Sequence, residues 1–150
     1  MGWTPDLTVA AIIKREQTFL LVEERIGNAL VLNQPAGHVE RNESLLAAVV
    51  REVREETAWR FTPEALVGIY TWRNPRSGRS TLRFAFSGTV DDHDADQPLD
   101  PPVIATHWLS RAQIQSQPQR LRTPMVLRCI DDYLAGQRFA LSAIAAVAEP

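Results

Sequence analysis

The stretch from Gly37 to Trp59, GHVERNESLLAAVVREVREETAW, constrains the fold of this chain more than any other. Ser44 is a favourable N-cap, and Leu46, Val49, Val50 and Val53 recur at the i, i+3, i+4, i+7 spacing of one helical face. Such a stripe requires a sheet or another helix to cover it. The residues just upstream, Asn33-Gln34-Pro35-Ala36-Gly37-His38, cannot continue it backwards. Pro35 disfavours helix for Gln34 and removes a donor, and Gly37 permits backbone conformations closed to other residues. The expectation is a shaped loop delivered by a strand into a helix.

The flanking patterns are mostly strand-like. Leu7 to Ile13 reads as a buried strand, with Thr18 to Glu24 as its hairpin partner and Ala29 to Leu32 as a third short strand. Beyond the helix, which Pro63 bars from continuing, Leu66 to Trp72 and Thr81 to Val90 form a pair. In the second of these, Leu82, Phe84 and Phe86 alternate with Arg83, Ala85 and Ser87 on a polar side. Arg73 to Ser80 between them reads as a mobile basic loop, and Asp91 to Pro102 as an acidic one. Val103 to Leu109 returns to strand, Ser110 caps a short helix reaching Gln115, and Thr123-Pro124 opens a last helix with Leu127, Ile130 and Leu134 on one face, stopped by Gly136. Strands, one strand–loop–helix unit, further strands and a C-terminal helix indicate an α+β fold built on a mixed sheet. Regular βαβ alternation and a G-x-x-x-x-G-K-[ST] phosphate loop are both missing, which argues against a Rossmann-type domain or a P-loop enzyme.

With 150 residues, 45% of them hydrophobic and 23% charged, a single domain, residues 1–150, with a substantial core is expected. A net charge of −2 supplies no basic footprint for nucleic acid. No segment approaches the apolar length of a membrane span, and without a secretory leader the expected location is cytoplasmic. The lone Cys129 excludes an intrachain disulfide and lies in an apolar-periodic stretch that suits inert packing.

The carboxylates of the central helix carry the chemistry. Glu52 and Glu56 are i, i+4 neighbours and Glu55 lies at i+3 from Glu52, so the three fan from one edge at a cost in repulsion. Oxygen ligands of this kind suit Mg²⁺ or Mn²⁺, and a cation relieves the repulsion. Such sites serve phosphoryl chemistry, with one glutamate as general base. Arg51, expected to point away from that edge, would clamp Glu43 in a bidentate pair and fix loop to helix. Gly37, without a side chain, lets its backbone approach the metal. A solvated face laced with weak ion pairs is the competing explanation for the same residues.

Gly37, Glu43, and Arg51-Glu52-Val53-Arg54-Glu55-Glu56 at these spacings resemble the signature box of the Nudix hydrolases. Ala58 stands where that box usually has glycine, a helix-terminating position, and Trp59 fills the bulky apolar position after it. Asn33 to His38, Leu82-Arg83-Phe84, Trp108, Arg122-Thr123-Pro124 and Gly136 to Phe139 further resemble the NudJ phosphatase branch, over most of the chain. The resemblance implies an α/β/α sandwich, Mg²⁺ dependence, and hydrolysis of nucleoside tri- and diphosphates and of the thiamine-precursor pyrimidine diphosphate. It implies Glu52 and Glu56 as main metal ligands, Glu55 as a further one, the Gly37 carbonyl completing the shell, and Glu43–Arg51 as the supporting ion pair. The catalytic residues are then Glu52, Glu55 and Glu56, with Glu52 as base. The acid that many relatives carry before the next strand is displaced here by Pro101-Pro102, with Asp100 nearby.

On the substrate side, Trp72 would either stack on a heterocyclic base or pack in the sheet. Arg83 would either meet phosphate or sit as an exposed strand arginine. Gln34 would read a base edge or bond within its loop, and His38 would touch phosphate or make a structural hydrogen bond. Trp3 and Trp108 are assigned to packing. The expected partner is a small nucleotide or diphosphate, with no nucleic acid or membrane, bound by a monomer or homodimer. ADP-ribose, a dinucleoside polyphosphate or an oxidised nucleotide is the alternative substrate, and a non-catalytic nucleotide-sensing module the alternative use of the fold.

Overall fold

The computed structural model describes residues 2–147. Seven strands form one mixed sheet: β1 (Asp6–Arg15), β2 (Thr18–Ile26), β3 (Ala29–Asn33), β4 (Ala36–His38), β5 (Arg60–Arg73), β6 (Ser80–Asp91) and β7 (Val103–Ser110). The main path runs β3-β2-β1-β6-β5, with β4 on β1 and β7 on β2. Helices α1 (Leu45–Thr57), α2 (Arg111–Gln115) and α3 (Met125–Leu134) cover it. Among the described residues no helix is long and apolar enough to cross a membrane.

Central β1 explains why LTVAAII is continuously apolar. Val9, Ala11 and Ile13 pack with Ala48, Val49 and Val53 of α1, whereas Ile12 packs on the opposite face with Met125, Val126, Cys129 and Ile130 of α3. A strand buried on both faces has no polar side to show. The sheet is therefore the middle layer, with α1 on one side and α2 and α3 on the other. The α+β class holds.

Several details differ from the sequence expectation. The β1–β2 hairpin pairs only near its turn, at Lys14↔Phe19 and Arg15↔Thr18, while the long partner of β1 is β6, parallel from Asp6↔Thr81 to Ile13↔Gly88. A parallel pairing between strands so far apart in sequence leaves no local signal. Strand β5 begins at Arg60, not Leu66, and accommodates Pro63 because β5 is an edge strand and its ladder shifts register between Pro63 and Ala65. The buried face of α3 is Met125, Val126, Cys129 and Ile130, while Leu134 is 47% exposed. Trp3, assigned to packing, is 66% exposed, whereas Trp108 is partly buried beside Trp59. The Arg73–Ser80 segment is a tied turn instead of a loose loop: Asn74 donates to and accepts from the chain across it, and Arg79 pairs with Asp6 at 2.7 Å.

Candidate active site

Three residues of β4 bring the loop to the helix. Thr8↔His38, Val9↔Gly37 and Ala10↔Ala36 pair β4 to β1, and the N–H groups of Ala11 and Val39 donate to Pro35 and Leu7 at 2.9 and 3.2 Å. Gly37 thereby lies flat against β1 with α1 in front of it. A Cβ at position 37 would sit 2.2 Å from the Glu52 carboxyl carbon, so any side chain here would displace that carboxylate. One turn further along α1, Glu56 Oε1 accepts the Ala36 N–H at 2.8 Å.

Arg51 holds the assembly together. Its Nε and Nη2 donate to the two oxygens of Glu43 at 2.7 and 2.9 Å, and Nη2 also reaches the His38 carbonyl at 3.0 Å. Its Nη1 turns back to Glu52 at 2.8 Å and Glu55 at 3.1 Å. The guanidinium thus faces the carboxylate edge, contrary to the expectation that it points away: its reach spans both Glu43 and the next turn of its own helix. Hydrogen bonding to Arg51 holds the Glu43 carboxyl below its ordinary range. At Glu52, burial outweighs the same guanidinium and raises the carboxyl. Glu56 is only 8% exposed, and burial, opposed by the Ala36 N–H and reinforced by Glu24 and Glu52, pushes it up to about 8.

These groups line a cleft of about 540 Å³ with Glu24, Asn33, Gly37, His38, Arg83, Asp100 and Arg122. A wider hollow of about 800 Å³ on another flank of α1 is lined by Leu46, Ala47, Val50, Pro63 and Leu141 together with Arg51, Arg54 and Glu55, but its accessible wall is mostly apolar. In the charged cleft, no three carboxylate, imidazole or thiol groups among the described residues converge as a ready-made cage. The donor set is all oxygen, and buried Glu56, crowded by Glu24 and Glu52, stays raised despite the nearby Arg122 charge, an imbalance that a hard cation would relieve.

The substrate-side candidates separate clearly. Arg83 lines the cleft and is 3% exposed, so it is not a surface strand arginine. His38 lines the cleft with its side chain exposed, and its structural hydrogen bond is made by its carbonyl. Gln34 is fully engaged inside: Nε2 donates to the Val126 carbonyl at 2.7 Å and Oε1 accepts from Arg83 at 2.9 Å. Trp72 packs against the α3-side core and is not part of the cleft lining. Glu24 went unnoticed in sequence. It is 3% exposed and paired to Arg122. The available signal was its phase, because Leu20 and Val22 share its face of β2 and are buried.

The Nudix domain family matches residues 4–128. The chain belongs to the Nudix hydrolases. Phosphatase NudJ of Escherichia coli strain K12 is 36% identical over 140 residues, which is 93% of this chain and 90% of that protein. The solved Nudix hydrolase from Nitrosomonas europaea superposes with a TM-score of 0.94 at 45% identity, covering 96% of this chain and 98% of that one. The MutT protein from Methanosarcina mazei Go1 superposes at 0.71 with 26% identity over 92% of this chain and 99% of its own. In this Nudix hydrolase the box residues are the ones that the β4–α1 junction assembles. Ala58, in place of the usual glycine, still ends α1 in the left-handed conformation, at φ 62°, with its N–H on the Arg54 carbonyl at 3.0 Å.

Proposed function

We propose that this Nudix hydrolase cleaves phosphoanhydride bonds in nucleoside tri- and diphosphates, the thiamine-precursor pyrimidine diphosphate falling in the same substrate class, with Mg²⁺ as the metal and Mn²⁺ able to replace it. The observation that carries this reading is the buried carboxyl of Glu56, crowded by Glu24 and Glu52 at the wall of a cleft that also contains arginines. Likeness to phosphatase NudJ supports the phosphate-releasing form of the chemistry.

Glu52 and Glu56 would hold the cation, with Glu55 and the Gly37 carbonyl as further donors. The cation, when bound, would supply positive charge to phosphate oxygens and lower the pKa of an attacking water. The chain's own part is positional. Arg51 fixes Glu52 and Glu55 while anchoring the loop through Glu43, and the Ala36 N–H orients Glu56. Glu52 is our general base. Asp100 is the second candidate: it lines the same cleft, and its N–H is tied to the Glu55 carbonyl at 3.0 Å.

Purified protein with Mg²⁺ should release orthophosphate from nucleoside tri- and diphosphates, and Glu56→Gln should abolish that release while remaining folded. Full activity in Glu56→Gln would overturn the reading. Pyrophosphate or a nucleoside monophosphate as first product would shift it to another bond. For the base, Glu52→Gln should cost about 10³-fold and Asp100→Asn less than about tenfold; the reverse order would transfer the role to Asp100.

A further inference from the structure

Three guanidinium groups line the cleft, and two of them are neutralised. Arg51 pairs with Glu43, Glu52 and Glu55, and Arg122 pairs with Glu24. Arg83 has no carboxylate partner among the described residues. Its Nη1 donates to Gln34 Oε1 at 2.9 Å, its Nη2 to Asn33 Oδ1 at 3.1 Å, and its buried Nε has no hydrogen-bond partner. Two neutral amides satisfy direction but not charge, and a buried cation without an anion is an expensive arrangement to keep. The nearby Cys129 sulfur does not supply that anion, because burial raises its thiol and keeps it protonated.

The surrounding amides also fix what can approach. Gln34 is turned away from the ligand: its NH₂ donates to Val126, and it is not part of the cleft lining. Asn33 gives its oxygen to Arg83, which leaves its NH₂ group as a donor beside the cleft. The corner therefore offers a guanidinium charge and an amide donor and asks for an acceptor. A neutral carbonyl would leave the charge uncompensated; a phosphoryl group would not.

We infer that Arg83 and Asn33 form a second anion subsite in the cleft, which takes a phosphoryl group of the substrate apart from the one attacked at the α1 glutamates. This rests on the phosphoanhydride reading above for its role, but not for its detection. Gln34 is the positioning residue: it holds the guanidinium through one amide oxygen while its own NH₂ is anchored to the backbone of α3.

The test uses full-length protein in chelator, with inorganic orthophosphate as probe against chloride at matched ionic strength, read by calorimetry and thermal shift. Wild type should bind phosphate saturably, Arg83→Met should lose that binding at least tenfold, and Arg122→Gln should retain it. Asn33→Asp gives Arg83 an internal carboxylate, so this variant should melt no lower than wild type yet lose phosphate binding, and its KM for nucleotide should rise at least tenfold with kcat changed less than threefold. A merely structural arginine would not produce that split. Should Arg83→Met not fold, Asn33→Asp decides alone. Phosphate binding absent in wild type, unchanged in Asn33→Asp, or dependent on Arg122 instead would overturn the subsite. Because the probe requires neither metal nor turnover, an enzyme without nucleotide hydrolysis but with Arg83-dependent phosphate binding would refute the functional reading alone.

Discussion

Arg51 and Glu43 stand eight residues apart and meet through two parallel hydrogen bonds, Nε to Oε2 at 2.7 Å and Nη2 to Oε1 at 2.9 Å. Both side chains are partly shielded, at 21% and 14% exposure, which reduces solvent screening of the pair. Lysine keeps the charge but cannot make the fork. Arg51→Lys should destabilise the protein by about 1 to 2 kcal/mol, lowering Tm by roughly 3 to 6 °C, and should reduce hydrolysis by more than the stability loss explains. Urea unfolding beside kinetics checks this; wild-type values on both would show the fork to be idle.

Glu56 predicts a pH dependence with a definite sign. Its folded carboxyl titrates at about 8 against an ordinary value of 4.5, so between those limits the native state binds a proton that the unfolded chain has lost. Its stabilising share is complete below about pH 4.5 and disappears as pH rises through 8. In chelator, wild type should therefore lose stability from pH 5.5 to 8.5 relative to Glu56→Gln, by on the order of a few kcal/mol. Parallel urea curves at each pH measure the difference, and one that stays flat across this range would contradict the assignment.

Two glycines predict opposite failures. At Gly37 an added Cβ meets the end of the Glu52 side chain at 2.2 Å, which can swing away. Gly37→Ala should therefore fold with stability within about 1 kcal/mol of wild type yet lose about 10²-fold in rate, since Glu52 is displaced. At Gly88 the same methyl meets the Thr62 carbonyl oxygen at 2.1 Å, backbone that cannot yield. Gly88→Ala should cost about 3 kcal/mol or more. Thermal melts and turnover of the two variants separate the cases.

What the sequence disclosed was what is local. The capped, striped helix and the spacing from Gly37 through Glu56 depend on neighbours along the chain, and they appear where that pattern places them. For Arg83 only the exposed-strand alternative fails: alternation in β6 implied one polar face open to solvent, whereas α3 covers that face and leaves the guanidinium inside. Gln34 and Trp72 take the inward of their two alternatives, Gln34 bonding to α3 and Trp72 packing against the α3-side core. The β1–β6 pairing decides which residues share a wall, and no periodicity reports it. Trp72 now supports a direct check: Trp72→Phe should lower Tm while leaving KM for nucleotide within twofold, and a large KM change would return it to the substrate.

The segment after β6 is tied to the end of α1. Asp94 and Asp100 donate backbone N–H groups to the Ala58 and Glu55 carbonyls, each at 3.0 Å, the Gln97 side chain donates to the Arg54 carbonyl at 2.6 Å, and Arg54 Nη1 reaches the Asp92 carbonyl at 2.8 Å. A stretch with so little secondary structure of its own thus supplies donors to the Glu55 and Ala58 carbonyls, which the end of α1 would otherwise leave to water, and a second donor to that of Arg54. Hydrogen exchange should register the consequence. The amides of Asp94 and Asp100 should exchange as slowly as those of the helix end they cover and far more slowly than the Arg76–Gly78 turn, because they are released only when the glutamate helix itself frays.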